Sequence, residues 1–152
     1  MKNLKSKKKG FTLVELLAVI AILAIIGAVL IPNLMGFKEK AHKSNIQASA
    51  KAIVSTAKNY LAESEVDLLA DGTITFKEAR GGDGEETDFG KMLDLSTLKK
   101  RDAEVLDQVP MNQMKNLANG NFTVESINSG QDKGKIKLIV SGEEYLSESN
   151  AD

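Results

Sequence analysis

Residues 11–31 read FTLVELLAVIAILAIIGAVLI, an apolar run of 21 residues interrupted only by Thr12, Glu15 and Gly27. As an α-helix it reaches roughly 31 Å, enough to cross the hydrocarbon core of a bilayer. Nearly all the uninterrupted apolar sequence of the 152-residue chain lies here, and the later residues are mostly polar. Five lysines (Lys2, Lys5, Lys7, Lys8 and Lys9) and no acid precede the run. That asymmetry holds the N-terminal side in the cytoplasm and sends the remainder outward. A secretory signal has a shorter apolar stretch with a small-residue cleavage site after it. Here the run leads instead into Pro32-Asn33 and a charged segment, so the secretory-signal reading is poor.

The formal net charge of −1 conceals two opposite parts. Without the first ten residues, 15 basic side chains face 21 acidic ones, a formal −6. That balance argues against broad phosphate binding, so nucleic acid is not an expected partner on charge. The chain has no cysteine, which excludes disulfides, thiol nucleophiles and cysteine-ligated metals. Its one histidine, His42, cannot build a multi-histidine metal site. Lying among Lys38, Lys40 and Lys43, it reads as a solvated surface residue. The sequence contains no Walker or dinucleotide glycine pattern. A serine–histidine–aspartate arrangement is not credible on one histidine, and no pair of carboxylates stands out for glycoside chemistry. No enzyme activity and no cofactor are expected.

The organisation predicted is α+β. Residues 1–10 form a basic leader, 11–32 an apolar helix half, 33–66 an amphipathic helix half and 67–152 a small head with antiparallel strands. Pro32 removes a backbone donor and crowds the carbonyl four residues earlier, which predicts a bend near Ala28, with Gly27 weakening the same stretch. Beyond it, Ile46, Ala50, Ile53, Ala57 and Leu61 recur at helical spacing and form one apolar face that the C-terminal region must cover. Residues 73–76 suggest a brief strand, 80–90 an exposed glycine-rich loop, and 96–106 a helix capped by Ser96. Two strands are expected at 122–127 and 135–141, paired antiparallel; in the second, Ile136, Leu138 and Val140 alternate with polar residues.

The segment from Lys7 to Leu17, KKKGFTLVELL, is the most informative. Lysines, then Gly10, then Phe11, Thr12 and Glu15 opening an unbroken apolar helix, with Pro32 at its end, closely resemble the class III signal of type IV pilins and their relatives. The resemblance covers residues 5–34; the long helix and strand-bearing head match in architecture only. It implies a prepilin peptidase that cuts between Gly10 and Phe11 and then methylates the new amine of Phe11. Gly10 suits that chemistry because it presents no side chain to an approaching protease. The resemblance also implies that Glu15, a carboxylate costly to hold in hydrocarbon, meets the N-terminal amine of a neighbouring subunit, with Thr12 donating a supporting hydrogen bond. The alternative is a tolerated polar residue in contact with its own helix N-terminus.

The partners implied are further copies in a homo-oligomeric helical filament, the prepilin peptidase, the pilus assembly platform with its ATPase machinery, and the membrane before assembly. The subunit would then reside in the cell membrane first and in a cell-surface filament afterwards. Extraction exposes the apolar segment unless copies bury it against one another, and a head-to-tail contact that does not close gives a filament. In the filament, residues 24–32 are expected to loosen. A pseudopilin of a type II secretion or DNA-uptake machine uses the same device, and an uncut single-span membrane-anchored binding protein is the reading from another class. The missing cysteines look more like pilins of Gram-positive bacteria. A weaker signal lies at 67–78, where Asp67, Asp71, Thr73 and Glu78 partly fit a calcium loop. Leu69 stands there in place of an oxygen ligand, and a helix end, an Asp-Gly turn and a short strand account for the segment as well.

Overall fold

The computed structural model describes residues 11–82, 84, 86–94, 96 and 100–149, with the backbone alone at 31–35. One helix, α1 (Leu13–Ser64), carries both the apolar and the amphipathic stretches, and its helical assignment runs unbroken past Gly27, Ala28 and Pro32. The chain separates into two compact units, the first ending at Gly36 and the second beginning at Phe37.

In the second unit the predicted stripe is the core face of α1. Ile46, Ala50, Ile53 and Ala57 are buried and Leu61 is half-buried. The four buried residues share one core with Val105, Leu106, Leu117, Ile136 and Leu138. Each fully buried Leu or Ile in such a core contributes about 1.5–3 kcal/mol relative to exposure, which is the main force holding the head without covalent cross-links.

The rest of the head is short helices and one sheet. Residues 73–76, expected as a strand, make only a single bridge between Thr75 and Pro110 before turning into α2 (Phe76–Ala79). The cause is local: Thr75 caps the helix and Glu78 reaches back to the Thr75 backbone, a reciprocal capping box that competes with strand pairing. Residues 80–90 are likewise not loop throughout. Thr87 caps α3 (Asp88–Lys91), which inserts Phe89 into the core. Gly90 is required there, since a Cβ on it would lie 2.2 Å from the Arg80 carbonyl oxygen.

The helix expected at 96–106 is seen as α4 (Lys100–Gln108), two residues longer at its C-terminal end, while residues 97–99 lie outside the described residues. A 3-10 turn (Met111–Gln113) and α5 (Met114–Ala118) then lead to the sheet. β1 (Phe122–Ser126) and β2 (Ile136–Val140) pair antiparallel, with Val124 opposite Leu138. A third strand, β3 (Glu143–Leu146), adds to β2 through the two-residue turn Ser141-Gly142, both at positive φ as a type I′ hairpin requires. The fold is therefore α+β, a long N-terminal helix with a small three-stranded antiparallel sheet in the order β1-β2-β3.

The stretch after β3 is tied down by hydrogen bonds. Ser147 N–H donates to the Ile136 carbonyl at 3.0 Å, and its hydroxyl accepts from Ile136 N–H at 3.1 Å. Gln108 Nε2 donates to the Leu146 carbonyl at 2.7 Å. Ser149 N–H donates to Glu104 Oε2 at 2.8 Å, and the Ser149 hydroxyl bonds the other carboxylate oxygen.

Candidate assembly site

A helix begins with backbone N–H groups that lack partners, and α1 meets this need with its own side chains. Thr12 N–H donates to Glu15 Oε2 at 2.8 Å and the Thr12 hydroxyl donates to the same oxygen at 2.9 Å. In return Glu15 N–H donates to Thr12 Oγ1 at 3.2 Å. This is a capping box, the arrangement that a threonine followed three residues later by a glutamate favours. Of the alternatives posed for Glu15, the contact with its own helix N-terminus is the one the hydrogen bonds form. Oε2 is committed to its own helix start, while Oε1 has no hydrogen-bond partner among the described residues. Among the described residues the box is made by Thr12 and Glu15 alone, and Gly10 lies outside those residues.

Leu13–Leu30 form an 18-residue stretch of mean hydropathy 2.9, long and apolar enough to cross a membrane, with none of it buried inside the molecule. Phe11 is 92% exposed and Leu13 82%. Gly27 has no atom within 4 Å of where a Cβ would stand, leaving open space beside the helix. Water does not tolerate such a surface; it is a face made to be covered.

The residues suggested for calcium turn their oxygens to local work. Asp71 Oδ1 accepts from the Thr73 N–H and hydroxyl, each at 2.7 Å, and from Ile74 N–H at 3.3 Å. The Thr73 hydroxyl, and then its N–H, hold the Asp71 carboxyl below its ordinary range. Glu78 is held low in the same way, by the Thr75 N–H first and its hydroxyl second. Asp67 accepts from Leu69 N–H at 3.0 Å. Among the described residues no three histidine or acidic side chains gather where they could hold a metal ion.

His42 is where the structure departs most from the sequence reading. It is 7% exposed, and its Nδ1 lies 2.7 Å from Oδ1 of Asp102, a fully buried residue of α4. Lys38 and Lys40, its neighbours in sequence, are exposed, whereas the histidine faces α4 from the edge of the core face of α1. Among the described residues Asp102 Oδ2 is buried without a hydrogen-bond partner. The pair joins residues sixty positions apart, so no local pattern could have announced it.

Comparison with known proteins finds one family signature and several relatives. A family signature described as a prokaryotic N-terminal methylation motif matches residues 5–31. Competence protein ComGC of Streptococcus pneumoniae is 37% identical over 81 residues, which cover 50% of this chain and 75% of that protein. Type IV major pilin protein PilA of Myxococcus xanthus is 34% identical over 75 residues, 49% of this chain and 34% of that one. Type II secretion system core protein G of Dickeya chrysanthemi is 39% identical over 57 residues, 38% of this chain and 37% of that one. The chain thus spans about a third of the length of the last two. No solved structure matches it significantly.

Proposed function

We propose, since the chain belongs to the type IV pilin-like family, that it is a structural subunit of an extracellular type IV pilus filament. It enters the membrane through residues 11–31, is cut between Gly10 and Phe11 by a prepilin peptidase, and is methylated on the new amine of Phe11. The single observation that carries this reading is the Thr12–Glu15 box at the head of a fully exposed apolar helix. It holds a carboxylate with one oxygen spare at the place where cutting creates a positive charge. Packing copies side by side then buries apolar surface and pairs amine with carboxylate in one step. The reading asks for no catalytic residue and no cofactor. Pilus assembly platform, ATPase and peptidase are its partners.

Mass spectrometry of the native N-terminus tests it. The expected mature chain starts at methylated Phe11, and a retained lysine-rich leader would mean an uncut anchored protein instead. Thr12 offers a finer check. Thr12→Val removes the hydroxyl that orients Glu15 and is expected to lower filament yield several-fold with processing unaffected. Thr12→Ser keeps the hydroxyl and is expected to restore the yield. Equal yields from the two variants would mean that the hydroxyl does not position the carboxylate.

A second reading, a short filament serving DNA uptake, is favoured by the match that covers 75% of a competence protein. Deletion of the chain separates the two readings: loss of transformation without loss of surface filaments selects uptake.

A further inference from the structure

We infer that a row of lysines on the head portion of α1 is the surface on which a second copy of this chain seats its acidic end. The inference rests on the filament reading above and names the contact between heads that such a filament would use.

Lys40, Lys51 and Lys58 are 11 and 7 residues apart, which at 100° per residue places them within about 20° of one another on the helix. They form a straight row about 27 Å long. All three are exposed, and among the described residues none forms an ion pair. Lys40 lies over the Phe37 ring, 6.0 Å from its centroid. By contrast Lys91, Lys100, Lys135 and Lys137 each have a carboxylate partner within their own chain. The row is thus a run of cations for which the described residues supply no counter-charge.

The counter-charge lies at the other end of the same unit. Residues 37–62 hold five lysines and one glutamate, whereas residues 63–94 hold ten acids and three bases, a formal −7. Glu63, Glu65, Glu86 and Asp88 are not buried, and among the described residues only Asp88 of these forms an ion pair. Charge is therefore graded along the head portion of α1, positive over residues 40–58 and negative past its C-terminal end. Two copies side by side in register would set like against like. A copy displaced along the axis by about the length of the lysine row brings its acidic end level with that row. A heterologous contact of this kind repeats without closing, as a filament demands. Opposed charges across it also fix the register, because a misplaced copy meets its own sign.

The test uses full-length chain assembled by its own cells. Sheared wild-type filaments are expected to fall apart as ionic strength rises past the physiological range, where screening reaches down to a few ångströms. Lys51→Glu with Lys58→Glu is expected to cut filament yield about tenfold, as placing like charges opposite one another does. The mature N-terminus and the thermal unfolding of the head should remain as in wild type. Adding Glu63→Lys and Glu86→Lys to that chain exchanges both signs and is expected to restore filaments. Wild-type yield and salt tolerance from the lysine variant would overturn the inference. So would a loss that the second pair of changes does not repair, and so would unaltered filaments that have lost binding to duplex DNA or anionic vesicles, which would make those the occupants of the row. If the wild-type chain formed no filaments at all, the filament reading itself would fall.

Discussion

Glu15→Ala is expected to insert into the membrane and lose its leader as the wild type does, yet to reduce surface filaments on the order of a hundredfold. Insertion depends on the length and hydropathy of residues 13–30, which the substitution only increases. On the proposed reading cutting depends on Gly10 and Phe11, whereas the box is made by Thr12 and Glu15. Assembly is different: on the proposed reading the new amine of Phe11 enters an apolar bundle, and a buried charge with its partner removed is strongly penalised. Glu15→Gln separates charge from geometry. A glutamine at this position can still close the box with Thr12, so its helix start is preserved while its charge is gone. Immunoblots of the sheared surface fraction are expected to find Gln as deficient as Ala. A filament yield from Glu15→Gln close to wild type would leave hydrogen bonding, and not charge, as the contribution of this residue.

The second large effect concerns the head. His42→Ala is expected to destabilise it by about 3 kcal/mol, read as a lowered denaturation midpoint of the detergent-solubilised chain followed by circular dichroism. The size comes from what is left behind. Asp102 has one oxygen bonded to His42 and the other bonded to nothing among the described residues, so removing the imidazole strands a whole carboxyl in the core. Asp102→Ala leaves only a ring nitrogen at the edge of the core and is expected to cost less. Replacing both together, His42→Leu with Asp102→Leu, is expected to recover most of the loss, since an apolar pair of similar volume needs no partner. A His42→Ala midpoint equal to wild type would mean that the pair is not what joins α4 to α1.

What could be read in the sequence was what depends on near neighbours or on long repetition. The apolar helix, the stripe from Ile46 to Ala57 and the alternation Ile136, Leu138, Val140 are periodic, and the fold uses them as read. The box of Thr12 and Glu15 spans three residue steps, and its parts were visible as a pair. The same rule, applied to Thr75 and Glu78, would have found α2 where a strand was expected. The Ser141-Gly142 dipeptide likewise carried the signal for β3. His42 and Phe89 were of another kind. Nothing beside either residue distinguishes a solvated histidine from one facing Asp102, or a loop phenylalanine from one whose ring lies 5.8 Å from that of Tyr60. Their environment is made by segments distant in the chain and exists only once the core has closed.

The hydrogen-bonded strap after β3 has a consequence for timing. Ser147 fastens this stretch to Ile136 of β2, and Gln108 and Ser149 tie it to α4, without any covalent chemistry, in a chain that has no cysteine. Disulfide formation and reshuffling take seconds to hours, and they wait on an oxidant or an isomerase. A clasp of hydrogen bonds closes as fast as the strands pair, in reducing and oxidising surroundings alike. Each copy can therefore finish folding on its own schedule, independent of any redox partner, and can open and close again without a chemical step.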